Sequence, residues 1–135
     1  IMTSKVVYNG SLHTEATHLA SETIIVTDAP VDNGGKGSAF SPTDLVATAL
    51  SSCMLTIIGI ASETHSFSIE GTLCEVEKIM AANPRRISAI NMKMYIKGQE
   101  SYTDKERAII ENAAKTCPVW FSLSADMEKN IEFIY

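Results

Sequence analysis

Cysteine is the residue type in this chain best suited to nucleophilic chemistry, and it occurs at positions 53, 74 and 117. A thiolate attacks electrophilic atoms, and a second thiol can convert the oxidised product into a disulfide. Cys117 directly precedes Pro118, a residue favoured at the first helical position, which predicts that Cys117 is an N-cap. Free backbone N–H groups and the helix dipole lower the pKa of a thiol there. The position suits either a reactive thiol or a small residue that only caps the helix.

The other two cysteines carry weaker local signals. Cys53 follows Ser51 and Ser52 inside a long apolar segment, where a buried structural thiol is the ordinary interpretation. Cys74 lies in a predicted strand with no helix terminus or cation beside it in sequence, which predicts a structural role. A Cys–His nucleophile pair stays open, because such partners meet only in the fold.

Metal and phosphate sites have no support in the spacing of the residues. The three histidines and three cysteines form no paired-ligand motif, so neither a metal nor a cofactor is expected. The glycine-rich segment 34–37 lacks the spacing and the Lys-Ser/Thr ending of a phosphate loop, which favours a flexible turn.

Composition restricts the protein class. At 135 residues we expect a single domain over 1–135, and three cysteines do not suit a secreted disulfide framework. The formal net charge of −5 argues against nucleic-acid and anionic-membrane partners. The first residues do not have a signal-peptide pattern, which predicts a cytoplasmic protein.

The elements that must position these cysteines can be predicted along the chain. Three short strands are expected at 5–9, 12–18 and 22–27, with the first turn at Asn9-Gly10, followed by a loop over 28–40. Ser41, Pro42 and Asp44 then form the capping-box pattern of a helix start. The uncharged stretch 45–62 that follows is long enough to span a membrane, but its polar residues and acidic flanks favour a buried helix.

The second half of the chain predicts a further sheet and two shorter helices. Strands are expected at 67–79 and 87–97 around a turn at 83–86, and a last strand at 129–135. Thr103 and Glu106 form a second capping box, and a short helix is expected at 118–124. The order βββ-α-ββ-α-α-β predicts an α+β fold with a long buried central helix packed on antiparallel sheets. A small sheet cannot cover so apolar a helix, so we expect a second subunit.

Two segments of the chain resemble the OsmC/Ohr family of thiol-dependent peroxidases. These are FSPTDLVATALSSCMLTIIGI, at residues 40–60, and TCPVWFSL, at residues 116–123. The specific features are a proline-led apolar helix with Cys53 eleven residues after Pro42, and the late Cys117-Pro118-Val119. The resemblance extends to the order of elements over nearly the whole chain.

The resemblance implies an OsmC-like intertwined homodimer with active sites between the subunits. Cys53 matches the family's peroxidatic cysteine and Cys117 its resolving cysteine. The implied activity is reduction of organic hydroperoxides, with an external dithiol reducing the Cys53–Cys117 disulfide. The apolar neighbours Met54 and Leu55, together with Trp120 and Phe121, would favour organic hydroperoxides over hydrogen peroxide.

The chain departs from the family pattern at the charged pair that activates the thiol. The family pairs an arginine from its N-terminal half with a glutamate just after the helix proline. Here Thr43 takes the glutamate's position, with Asp44 next to it, and no arginine precedes Arg85. Lys36, Arg85 and Arg86 are the candidate cations for Cys53, with a solvated surface charge as the alternative for each. The chain thus resembles a divergent branch of the family.

Three functions remain open from the residues. The first is a peroxidase that uses both cysteines; the second is a non-catalytic thiol redox sensor or small-molecule binding protein on the same scaffold. The third is a structural dimer with inert thiols. The first predicts that Cys53 and Cys117 lie in contact although 64 positions separate them.

Overall fold

The computed structural model describes residues 1–135, which divide into two compact units, Ile1–Val46 and Ala47–Tyr135. We call them the N-terminal unit and the C-terminal unit. Each contains its own three-stranded sheet. The chain is an α+β protein with the predicted order of principal elements, and the fold class is confirmed.

The sheet of the N-terminal unit is antiparallel throughout. Its strands are β1 (Ser4–Gly10), β2 (His13–His18) and β3 (Ile24–Asp28), in that order across the sheet. The predicted first hairpin is present, but its turn lies at Ser11 and Leu12, with φ of 53° and 59°. The prediction of a turn at Asn9-Gly10 was therefore wrong by two residues, because β1 continues through an irregularity in register to pair Gly10 with His13.

A loop follows β3 and folds back on the strand's end. Its short 3-10 turn spans Val31–Asn33, and the backbone N–H of Asp28 donates to the carbonyl of Phe40. Gly35 is required by close approach, since a Cβ there would lie 1.8 Å from the carbonyl oxygen of Ala29. The two ends of the loop are thus joined by a backbone hydrogen bond at the C-terminal end of β3.

Helix α1 (Pro42–Thr64) begins with the predicted capping box. The Ser41 N–H donates to Asp44 Oδ2 at 2.9 Å, and the Asp44 N–H donates to Ser41 Oγ at 3.1 Å. The helix has the length and hydropathy of a membrane span. Its buried positions instead recur along one side, as in a core helix; they are Ala47, Leu50, Ser51, Met54, Ile58 and Ser62.

The sheet of the C-terminal unit has the order β4 (Leu73–Ala81), β5 (Arg86–Tyr95), β6 (Glu128–Ile134). Strands β4 and β5 are antiparallel, but β6 runs parallel to β5, which corrects the expectation of antiparallel strands only. The intervening helices α2 (Asp104–Ala114) and α3 (Pro118–Ser122) return the chain so that β6 starts beside the start of β5. Strand β4 also begins later than the predicted residue 67, after a turn in which Gly71 has φ of 89°.

The core of the C-terminal unit lies between α1, α2 and the inner face of this sheet. The predicted alternation in β5 is confirmed, since Ile90, Met92 and Met94 are buried, and Ile96 just beyond the strand is buried as well. They join Leu50 and other α1 residues in one cluster that also includes Ile110 and Cys117. Each large apolar side chain buried in this way contributes about 1.5–3 kcal/mol relative to exposure.

Candidate active site

Cys117 is the N-cap of α3, as its place before Pro118 predicts. Its backbone is extended, with φ of −72° and ψ of 142°, and its Sγ accepts a hydrogen bond from the Trp120 N–H at 3.3 Å. The side chain is fully buried, at 0% exposure. Cys117 is therefore both a helix cap and a member of the hydrophobic core.

The end of α2 determines where Cys117 lies. Ala114, in the last turn of α2, is buried, and the Thr116 hydroxyl donates to the Ala113 carbonyl at 2.8 Å. Pro118 cannot continue α2, because it has no N–H and its ring clashes with the preceding turn. The chain turns at this point and starts α3 with Cys117 directed into the core.

Cys53 lies on α1 and packs against the same cluster. It is half-buried, next to the fully buried Met54. The Cys53 side chain is within hydrogen-bonding reach of Cys117, and the two thiols interact electrostatically. The fold thus brings together two cysteines that lie 64 positions apart in sequence.

The pKa of the Cys117 thiol is raised above its usual 9.0, mainly because the group is buried. The N–H groups of Trp120 and Val119 act in the opposite direction, while the hydrogen bond and charge of Cys53 raise the pKa further. The expectation of a lowered pKa at this N-cap was wrong, because desolvation outweighs the two donors. Cys117 is therefore a neutral thiol at neutral pH.

Cys74 occupies a different environment in β4. It lies on a cleft of about 440 Å³ between α1 and β4, whose lining includes Ser51, Ser52 and Thr56. Burial raises the pKa of Cys74, and a hydrogen bond with Ser51 opposes that effect only in part. No cation contributes, so Cys74 lacks the surroundings of an activated thiol.

The candidate cations fall into two groups. Arg85 and Arg86 lie exposed at the β4–β5 turn, where Arg86 Nη1 donates to the carbonyls of Ala82 and Pro84 at 3.1 and 2.9 Å. Neither arginine contributes to the pKa shift of Cys117. Lys36 is an exposed residue of the N-terminal unit's loop.

The remaining supporting residues serve the start of α1. The Asp44 carboxylate accepts from the Ser41 N–H in the capping box, and Thr43 Oγ1 lies 3.2 Å from Ser41 Oγ. Asp44 thus has a structural function that the capping-box spacing predicted. A role for Asp44 in orienting the cation beside Cys53, in place of the family's glutamate, stays a prediction, as does the choice of that cation among Lys36, Arg85 and Arg86.

A polar cluster in the N-terminal unit was not found from the sequence. The carboxylate of Asp28, which is 3% exposed, lies 2.7 Å from His13 Nδ1 and accepts hydrogen bonds from both the backbone N–H and the hydroxyl of Ser38. The Ser38 hydroxyl and then His13 are the main causes that lower the pKa of Asp28 to about 2. His13 and Asp28 are register partners across β2 and β3, so only the strand pairing could have indicated their contact.

Comparisons with known proteins agree on the family. The family model described as OsmC-like protein matches residues 35–132. A structure from Psychrobacter arcticus 273-4, ascribed to the osmotic stress and detoxification response, is 50% identical. The match covers 98% of this chain and 96% of that one, with a TM-score of 0.94.

More distant structures share the fold. An organic hydroperoxide resistance protein OsmC from Legionella pneumophila is 17% identical, covers 100% of this chain and 98% of its own, and has a TM-score of 0.77. An organic hydroperoxide resistance protein from Elizabethkingia anophelis is 14% identical, with coverages of 99% and 96% and a TM-score of 0.75. No curated protein shows significant similarity to the chain. The extent of the family match and the 50% identity establish that this chain belongs to the OsmC family.

Proposed function

We propose that this protein is a thiol-dependent peroxidase that reduces organic hydroperoxides through Cys53 and Cys117. The observation that carries the proposal is that Cys53 packs against the buried cluster that contains Cys117, with the two thiols within hydrogen-bonding reach of each other. A disulfide forms only when a thiol can reach the sulfur that it attacks. A peroxidase with a resolving cysteine needs this contact, whereas a protein with inert thiols does not.

The reaction begins at Cys53. Its thiolate attacks the terminal oxygen of the hydroperoxide, the O–O bond breaks, and the alcohol leaves after taking up a proton. Cys53 is oxidised to a sulfenic acid by two electrons. Cys117 then attacks the Cys53 sulfur, a water molecule leaves, and an external dithiol reduces the disulfide by exchange.

The environments of the two cysteines support this division of roles. Cys53 is half-buried, so a substrate can reach it, whereas Cys117 has no exposed surface. The raised pKa of Cys117 keeps its thiol protonated and therefore protects it from direct oxidation. Cys53 is the attacking residue and Cys117 the resolving residue.

The surroundings support an organic substrate. Met54 adjoins Cys53, and Val119 and Trp120 pack against the same apolar cluster as Cys53 and Cys117. Transfer of the alkyl or aryl group of a hydroperoxide from water to such apolar surroundings is favourable. Hydrogen peroxide has no such group, so we expect it to be the poorer substrate.

We further propose that the protein works as a cytoplasmic homodimer. The small sheet of the N-terminal unit exposes large apolar residues, including Val6 and Tyr8, each 63% exposed, and Ile24, 54% exposed. On α1, Ile60 is 57% exposed. Large apolar residues exposed in this number are expected to be covered by a partner. Light scattering at micromolar concentration is expected to give twice the chain mass of 14.7 kDa, and a stable monomer would contradict the dimer.

Steady-state consumption of cumene hydroperoxide with dithiothreitol as reductant tests the activity. We expect turnover by the parent chain and a loss of at least about a hundredfold in Cys53→Ser, because the attacking atom is removed. Cys74→Ser is the matched control, since it exchanges the same atom outside the pair, and we expect it to stay within about twofold of the parent. Reversible disulfide formation without hydroperoxide consumption would favour the redox-sensor function instead.

A further inference from the structure

Helix α3 is too short to hold Cys117 in place by itself. It spans five residues, Pro118–Ser122, and the acceptor at its N-cap is a thiol, which is a weak hydrogen-bond acceptor. A helix of this length is unstable unless tertiary contacts hold it. The end of α2 holds Cys117 on one side, and on the other side its position beside Cys53 depends on what anchors α3 to the rest of the C-terminal unit.

Lys129, the second residue of strand β6, makes three contacts with α3 and the connection that follows it. Its Nζ lies 5.4 Å from the centroid of the Trp120 ring, within cation–π range. The same ammonium donates to the carbonyls of Ser124 and Met127, at 3.2 and 3.3 Å. One side chain thus joins both α3 and the connection that follows it to β6.

Lys129 is itself held in place by the sheet of the C-terminal unit. Lys129 pairs in register with Ile90 of β5, which is fully buried in the core. On α3, the backbone N–H of Trp120 donates directly to Cys117 Sγ. A continuous set of contacts therefore runs from the sheet through Lys129 and Trp120 to the Cys117 sulfur.

From these contacts we infer that Lys129 is a positioning residue that acts through Trp120 to hold Cys117 beside Cys53. The inference rests on the proposed function, because it concerns the step in which Cys117 closes the disulfide. It assigns Lys129 a role that neither thiol chemistry nor the family motifs indicate. Its effect is to raise the effective concentration of one thiol at the other.

Equilibration with mixtures of glutathione and glutathione disulfide tests the inference without any hydroperoxide. In this exchange two protein thiols become one disulfide while one glutathione disulfide becomes two glutathione molecules, so electrons and protons balance. Lys129→Met keeps the aliphatic stem but removes the cation and the donors. We expect half-oxidation of Cys53–Cys117 to require a roughly five- to tenfold more oxidising glutathione mixture.

The controls separate positioning from general stability. Lys129→Arg keeps both the cation and the donors, and we expect it to stay within about twofold of the parent. Lys93→Met removes an exposed lysine from the neighbouring strand β5 and is expected to change nothing. Trp120 is the single tryptophan, so its emission should shift in reduced Lys129→Met and not in Lys93→Met.

Half-oxidation of Lys129→Met at the parent's mixture would overturn the inference, as would an equal shift in Lys93→Met. Unfolding of both Lys129→Met and Lys129→Gln would also overturn it, since Lys129 would then act only on stability. A shift in Lys129→Met without hydroperoxide consumption by the parent retains the positioning role and refutes the peroxidase. Hydroperoxide consumption by the parent without a shift in Lys129→Met retains the peroxidase and refutes the positioning role.

Discussion

Asp28 in the N-terminal unit and Cys117 in the C-terminal unit are both buried ionisable groups, yet they are held in opposite protonation states. Asp28 is 3% exposed and Cys117 0%. Hydrogen bonds from the Ser38 hydroxyl and N–H, together with His13, lower the pKa of Asp28. Two backbone N–H groups act on Cys117 in the same direction, but burial outweighs them and its pKa rises. Burial alone therefore does not decide the charge of a group; the balance between desolvation and donors does.

The two states suit different tasks. A charged Asp28 ties β2, β3 and the following loop together, because its partners His13 and Ser38 lie on separate segments. In the proposed function, a neutral Cys117 remains unreactive until a sulfenic acid forms on Cys53. The N-terminal cluster is structural in this account, and the C-terminal pair is chemical.

The largest expected effect concerns the reactivity of Cys117. In the double variant Cys53→Ser, Cys74→Ser, we expect iodoacetamide to alkylate Cys117 at least about a hundredfold more slowly in folded protein than in urea. Burial and the raised pKa both act in this direction. The folded rate should still be rising at pH 9.0, the usual pKa of a thiol. A rate that levels off below pH 8 would show that the pKa of Cys117 is lowered, and would contradict the neutral state of its thiol.

A smaller effect is expected in the acid stability of the Asp28→Asn variant. The pKa of Asp28 is about 2 in the folded protein against 3.8 in an unfolded chain, so the unfolded state binds the proton more readily. The stabilisation by the carboxylate is therefore complete above about pH 5 and is lost as the pH falls toward 2. Urea unfolding should show the parent more stable than Asp28→Asn at pH 6, with the difference shrinking toward pH 2. A difference that stays constant over this range would contradict the charged state of Asp28.

The smallest expected effect separates the two partners of Asp28. The Ser38 hydroxyl is the largest cause of the lowered pKa and the His13 hydrogen bond the second. Titration of the Asp28 carboxylate by NMR should therefore show a higher pKa in Ser38→Ala than in His13→Phe, and both above the parent value of about 2. The reverse order would make the histidine the main partner.

Local features of both units were predictable from the sequence, and features that depend on distant segments were not. The capping boxes at Ser41–Asp44 and Thr103–Glu106 follow from residues three positions apart, and both form as predicted. The N-cap position of Cys117 is equally local. Its pKa is not, because burial depends on the core assembled from α1, α2 and the sheet.

The same distinction explains the other differences. The parallel pairing of β6 with β5 depends on the path of α2 and α3, which strand patterns do not encode. The Asp28 cluster requires the β2–β3 register and the closed loop that carries Ser38. The pairing of Cys53 with Cys117 was accessible only through the family resemblance, since no local signal relates residues 64 positions apart.

A single-turnover reaction tests the central assignment, in which Cys53 attacks and Cys117 resolves. Reduced Cys117→Ser and Cys53→Ser are each mixed with one equivalent of cumene hydroperoxide, and sulfenic acid is trapped with a dimedone probe and located by mass spectrometry. We expect one labelled Cys53 per subunit in Cys117→Ser, no label in Cys53→Ser, and a Cys53–Cys117 disulfide in the parent. Label on Cys117 and none on Cys53 would reverse the roles, and no label in either variant would refute the peroxidase.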